Sequence, residues 1–314
     1  MGQNTTDNRK AILIWVALGL VYVVWGSTYL GIKVAIETMP PLLHGAIRFT
    51  ASAVILGGFL LARKGTAIFR MTGREFLGAA VVGLLLLTAG NGMVAVAEQH
   101  ISTGLAALLV ASVPLWLVVF RLLARDRPQV LTLAGVLVGF GGVAALSLSG
   151  GGTSGSATGI VVILLASLSW AIGSFLSGKI PMPKDPFAAS SVEMLVGGVG
   201  LAVIGATLGE RLDPAQVSAG SWLGLAYLIL VGSMLGFTSY IWLLNNAPIS
   251  LVSTYAYVNP VVAVVLGALV LGERVTVPVM LGGLVIVVGV ALVISTERRP
   301  RAVPQPEAEP AMNR

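Results

Sequence analysis

The chain has 314 residues, of which 56% are hydrophobic and only 10% charged, with a net charge of +6 and a mean hydropathy of +0.93. A soluble domain carries about 25% charged residues, so this chain cannot coat a water-facing surface and reads as a polytopic membrane protein. It has no cysteine and two histidines, which excludes disulfides, thiol chemistry and a histidine-built metal centre.

A membrane helix needs about 20 apolar residues. In chain order the predicted spans are 11–36, 42–63, 73–98, 102–124, 130–149, 157–180, 186–209, 220–246, 250–271 and 277–296. The first run is too long for a cleavable signal peptide and lacks a small-residue cleavage site behind it. Its residues Tyr22, Trp25, Tyr29 and Lys33 are spaced 3, 4 and 4 apart and share one helical face. Indole N–H and phenol O–H groups need partners, which either a cavity wall or a neighbouring helix supplies.

The second span holds Arg48 and the seventh Glu193. Ionisable groups inside a span are functional candidates by default. Each lies ~9 Å from its own end at 1.5 Å per residue. In a ~30 Å core that leaves ~12 Å between them along the normal, too far for an ion pair. One charge near each mouth of a pathway fits. So does a structural role, with Arg48 snorkelling or paired to Glu98.

The third span puts Thr88, Asn91 and Glu98 on one side, and an unpaired mid-span amide is expensive. In the fourth, Ser112 and Trp116 share a face and Pro114 interrupts the helix. The fifth has Gly135 and Gly139 in a GxxxG spacing, which permits close packing. It reads as a scaffold helix, in a monomer or across a homodimer.

A Gly/Ser-rich stretch, 150–159, then leads into the sixth span, which carries Trp170, Ser174 and Ser177. The eighth holds Phe237 and Tyr240. The ninth holds Tyr255 and Asn259, with Pro260 mid-span. Pro114 and Pro260 deprive the carbonyls of Val110 and Ala256 of their helical donors. They read as paired hinges or as static kinks. The Pro-, Glu- and Arg-rich tail 297–314 reads as disordered and cytoplasmic.

The two halves repeat each other at an offset of 145 to 147: Trp25 maps to Trp170, Pro114 to Pro260, Asp126 to Glu273, Gly135 to Gly282 and Gly142 to Gly289. The expected organisation is a first five-helix unit over 1–149 and a second over 157–296. Five is odd, so the second copy must be inverted. Loop charge agrees. With the N-terminus inside, the inner segments hold Arg9, Lys10, Arg63, Lys64, Arg70, Arg74, Arg121, Arg125, Arg127, Lys179, Lys184, Arg298, Arg299, Arg301 and Arg314. The outer loops hold only Lys33, Arg211 and Arg274, so both termini are expected in the cytoplasm. Inverted repeats mark a secondary transporter with its pathway between the copies.

Other classes fall away. GSFLSGKI at 173–180 fits GxxxxGK, but Ile180 stands where a phosphate-binding loop needs Ser or Thr, and no strand precedes it. His44 and His100 sit at span ends, not placed as a base for a serine hydrolase. The basic residues cluster at helix ends rather than in a stripe, against nucleic acid as a partner. No enzyme, cofactor or metal is expected. The expected partners are the lipid bilayer and a small-molecule substrate.

The stretches WGSTYLGIK at 25–33, IRF at 47–49, NPVVAVVLGALVLGERVT at 259–276 and LGGLVIVVGVAL at 281–292 resemble the EamA family of the drug/metabolite transporter superfamily over about residues 11–296. The first repeat departs from it, with ARDR at 124–127 where the second has LGER. The resemblance implies ten helices around a central cavity framed by helices 1–4 and 6–9. It also implies export or exchange of small metabolites, including aromatic and other hydrophobic amino acids, from the inner membrane. A multidrug or toxic-metabolite antiporter is the alternative. Trp25, Tyr29, Arg48, Asn91, Trp116, Trp170, Glu193, Tyr240, Tyr255 and Asn259 are the expected substrate-binding residues. Their aromatic character fits a neutral or zwitterionic, apolar substrate.

Overall fold

A computed structural model of the chain describes residues 2–125, 128–148, 156–247, 249–252 and 254–296. Asp126, Arg127, most of the 150–159 linker and the 297–314 tail lie outside the described residues. So do the side chains of Arg9 and Lys10. Among the described residues, nine helices are long and apolar enough to cross a membrane, and Tyr255–Leu271 is a shorter apolar one.

The spanning helices are α1 (Ala11–Ala35), α2 (Pro41–Lys64), α3 (Gly73–Ala97), α4 (Thr103–Leu123) and α5 (Val130–Leu148) in the first half. The second half has α6 (Ala157–Ser177), α7 (Pro186–Thr207), α8 (Ala219–Tyr240, continuing to Asn246), α9 (Tyr255–Leu271) and α10 (Val277–Thr296).

Helices α5 and α10 settle the relation between the halves. A Cβ on Gly135 would sit 3.0 Å from the Gly289 carbonyl, and one on Gly142 would sit 3.1 Å from that of Gly282. Gly135 is the sequence mate of Gly282, and Gly142 of Gly289. Each glycine therefore packs on the mate of its partner, the pattern of a two-fold axis. Thr132, at the start of α5, meets Thr296, at the end of α10, at 2.8 Å, so the two mates run antiparallel. The second copy is inverted.

Two further features repeat. In α3 the stretch Leu84–Asn91, and in α8 the stretch Leu228–Leu235, widen to a π-helical pattern. Such segments are rare and collect at functional sites. The first ends at Asn91, in the wall of the cavity described below.

The prolines differ from expectation. Helix α4 breaks at Ala111–Ser112, between Thr103–Val110 and Val113–Leu123, with Pro114 in the first turn of the second piece. Helix α9 runs through Pro260 without interruption, and its preceding turn is at Thr254. A proline near a helix start costs little, because the N–H it lacks has no partner there. The matched prolines therefore sit in unmatched surroundings.

Candidate functional site

The two ends of the bundle are built differently. At one end lie Lys64, Lys179 and Lys184, and the Lys64 ammonium pairs with Asp185 at 3.0 Å, tying α2 to α7. This is the basic end.

The opposite end is held by carboxylates on helix N-termini. Glu210 accepts the backbone N–H groups of Leu42 (3.2 Å) and Leu43 (2.9 Å), which begin α2. Glu273 accepts those of Thr103 (2.8 Å) and Gly104 (3.2 Å), which begin α4, and the Thr103 hydroxyl at 2.8 Å. The first N–H groups of a helix have no internal partner and favour a negative charge. Each carboxylate crosses from the second repeat to the first.

Each also follows a glycine in the left-handed region, Gly209 (φ 82°) and Gly272 (φ 65°). Sequence reasoning singled out LGER only at 271–274. The same four residues stand at 208–211, and that exact duplication was the available signal.

More polar contacts close this capped end. The Lys33 ammonium donates to the backbone carbonyls of Glu98 and Ile101. Thr38 donates to Ser221 at 2.8 Å, and Ser221 in turn donates to the Val34 carbonyl at 2.9 Å, joining α1 to α8. The Glu98 carboxyl is fully buried, with neither oxygen hydrogen-bonded. Arg48 does not pair with it.

Between the ends lies a cavity of about 670 Å³. Its wall runs from Ile32, Arg48, Val94 and Ala107 in the capped half to Arg121, Ser174 and Ile294 near the basic end. Trp25, Tyr240 and Tyr255 meet there as one cluster, with ring centroids 4.9 Å (Trp25–Tyr240), 5.1 Å (Trp25–Tyr255) and 5.7 Å (Tyr240–Tyr255) apart. The two tyrosine–tryptophan and tyrosine–tyrosine contacts made by Tyr255 are edge-on, a favoured geometry. Gly236 lies directly under the Trp25 indole, where a Cβ would sit 2.6 Å from Nε1.

The π-segments place the polar groups. Asn91 ends the one in α3 and faces the cavity. In the same segment the Leu85 carbonyl accepts from Ser169 of α6 at 2.8 Å, and Gly90 leaves room for the Trp170 ring. Ser233, in the α8 segment, accepts from Arg48 Nε at 3.2 Å. The Arg48 guanidinium lies 4.8 Å from the Phe49 ring and is 6% exposed. The Asn259 amide, with its nitrogen facing the carbonyls of Tyr22 and Tyr255, donates to each at 3.2 Å and ties α9 to α1.

Of the residues expected from sequence, Trp25, Tyr29, Arg48, Asn91, Trp170, Tyr240, Tyr255 and Asn259 share this wall with Pro114 and Pro260. Trp116 and Glu193 do not. The α4 break resets the helical phase, so Val113, Pro114, Leu117, Val118 and Arg121 face the cavity. Trp116 turns to α5, edge-on to Phe140 at 4.8 Å. Glu193 sits on α7, which packs along α2 and α3 behind the wall; its backbone presses on Gly83, where a Cβ would sit 2.5 Å from the Glu193 carbonyl. Helix α7 thus adds nothing to the frame, while α10 adds Val293 and Ile294. Thr28 and Arg121 were also missed.

The model of the EamA-like transporter family matches residues 12–148 and 157–295, one match to each half. The chain belongs to the EamA-like transporter family. This EamA-like chain is 41% identical over 266 residues to the uncharacterized inner membrane transporter YedA of Escherichia coli (strain K12), covering 84% of the chain and 85% of that protein. It is 26% identical to the uncharacterized transporter YvbV of Bacillus subtilis (strain 168), covering 94% of each. Protein PagO of Salmonella typhimurium is 24% identical, covering 93% of the chain and 96% of that protein. One crystal structure, 19% identical, superposes with a TM-score of 0.62 over 93% of this chain and 98% of its own, a likeness of fold. The EamA-like chain is a membrane transporter, all-α, with two inverted five-helix repeats around a central cavity.

Proposed function

We propose that the chain is a secondary transporter that exports small hydrophobic metabolites, chiefly amino acids including aromatic ones, by alternating access. The observation that carries this reading is the cavity itself. It lies between the two copies, is lined by an aromatic cluster with few polar groups, reaches the basic end and stops below the capped end. Apolar walls with a few convergent polar groups are the usual form of a small-molecule site.

The excess of lysine and arginine at the basic end supports an orientation with that end, and both termini, in the cytoplasm of an inner membrane. The cavity then receives substrate from the cytoplasm. Release requires the capped end to part while the basic end shuts, with the units 1–149 and 157–296 rocking against each other about the 150–159 linker. Pro114 and Pro260, both in the wall, are the hinge positions in this scheme.

Purified protein in liposomes, given a panel of labelled amino acids with and without a pH gradient, is expected to exchange aromatic and branched-chain amino acids. A chain that instead exchanges protons for cationic dyes, and moves no amino acid, is the multidrug antiporter.

A further inference from the structure

Arg48 is a buried cation without an anion. Among the described residues its only side-chain hydrogen bond is the one from Nε to Ser233, and its terminal nitrogens have no acceptor. No Asp or Glu is found in the cavity wall. A buried charge without a counter-ion is costly. This one is nevertheless held firmly in place. Ser233 fixes Nε, Phe49 flanks the plane, and Gly232 leaves space beneath, where a Cβ would sit 3.5 Å from Nη2. The planar fork, open on its terminal side, matches a carboxylate.

The same wall contains the opposite chemistry. Pro260, inside α9, cannot donate to the carbonyl of Ala256, and Val110 ends the first piece of α4 at the Ala111–Ser112 break; Val110, Pro114, Ala256 and Pro260 all line the cavity. Two carbonyls without helical donors are acceptors for an ammonium group. The aromatic cluster of Trp25, Tyr240 and Tyr255 offers an apolar surface in the same wall.

We propose that Arg48 and the backbone carbonyls of Val110 and Ala256 form a head-group subsite for an α-amino-acid zwitterion, with the carboxylate on Arg48 and the ammonium on the two carbonyls. This rests on the transport reading above and specifies its substrate class. Ser233 is the positioning residue, acting through Arg48. The substrate carboxylate supplies the counter-ion that the fold omits, so the site selects acids over the corresponding amines and amides. Asn91, whose amide has no partner among the described residues, adds a further donor and acceptor in the same wall.

The test is equilibrium binding to the purified full chain of three probes: L-phenylalanine, phenylalaninamide and 3-phenylpropionate. L-phenylalanine is expected to bind best, with the amide weaker by roughly 10- to 100-fold, the loss of a charge-assisted pair. Arg48→Gln should abolish that preference and Arg48→Lys should restore part of it. Ser233→Ala, which leaves the guanidinium in place, should raise the Kd for L-phenylalanine severalfold with less effect on the amide. Pro260→Ala returns an N–H to the Ala256 carbonyl. It should therefore weaken L-phenylalanine while sparing 3-phenylpropionate, which has no ammonium. Equal binding of acid and amide by the unaltered chain, or an Arg48→Gln protein that still prefers the acid, overturns the subsite and leaves the transport reading standing. Binding of none of the three probes overturns both.

Discussion

Gly289→Leu is expected to abolish folded protein. Glycines 135, 139 and 289 bring the backbones of α5 and α10 into direct contact. The position a Cβ would take on Gly289 is already occupied by the backbone of Gly139, with the Gly135 carbonyl 2.8 Å away. No rotamer change can relieve a clash with backbone, so the helices must separate. That separation also removes the packing of Ile286, Val290 and Val293, all buried in the main core. Overpacking a filled core costs roughly 1–3 kcal/mol where side chains can adjust, and this site lacks that freedom. Gly141 is the control. A Cβ there meets nothing within 4 Å, so Gly141→Ala is expected to change stability by under about 1 kcal/mol, in the direction of helix propensity. Yield of monodisperse protein in detergent and its thermal unfolding midpoint measure both.

Glu273→Ala is expected to loosen the capped end and change transport, whereas Glu210→Ala loosens the scaffold alone. Each removes a carboxylate from a helix N-terminus, a loss of about 1–2 kcal/mol for a good cap. The difference lies in what each cap joins. Glu210 ties the turn after α7 to α2, along the broad α2–α7 contact behind the cavity wall. Glu273 ties the turn after α9 to α4, and the α4–α9 contact in the capped half lies directly above the cavity. Both variants should melt earlier than the parent. Only Glu273→Ala should alter amino-acid flux in liposomes. Glu273→Gln, which keeps an acceptor but loses the charge, should fall between Glu273→Ala and the parent.

Hydropathy made the spans legible, since about 20 apolar residues in a row leave no other home. The inverted repeat was legible too, because glycines and prolines mark backbone geometry that both copies need. What sequence did not carry was helical phase across irregularities. Spacing puts Trp116 on the face of Ser112 with a kink at Pro114, whereas the turn at Ala111–Ser112 shifts the helical phase and rotates Trp116 onto Phe140. The π-segments in α3 and α8 leave no local signature, yet they aim Asn91 into the cavity and set Ser233 against Arg48. Glu193, the repeat mate of Arg48, is expected from sequence at the other mouth of the pathway, yet it does not line the cavity. Symmetry relates backbones, and α7 packs behind the wall that α2 helps to form. Trp25, Tyr240 and Tyr255 come from three spans, and only the fold brings their rings within 6 Å of one another.

Alternating access requires the capped and basic ends to open in turn around one cavity. The chain has no cysteine, so spin labels can be placed on it pairwise without background. One pair, at the exposed positions Gln99 and Arg274, spans the capped end. A second, at the exposed positions Ile12 on α1 and Lys179 just after α6, spans the basic end from one repeat to the other. On addition of a transported amino acid, the distance distribution of the first pair is expected to gain a longer component while the second gains a shorter one. Pairs that both stay fixed, or that lengthen together, would contradict alternating access.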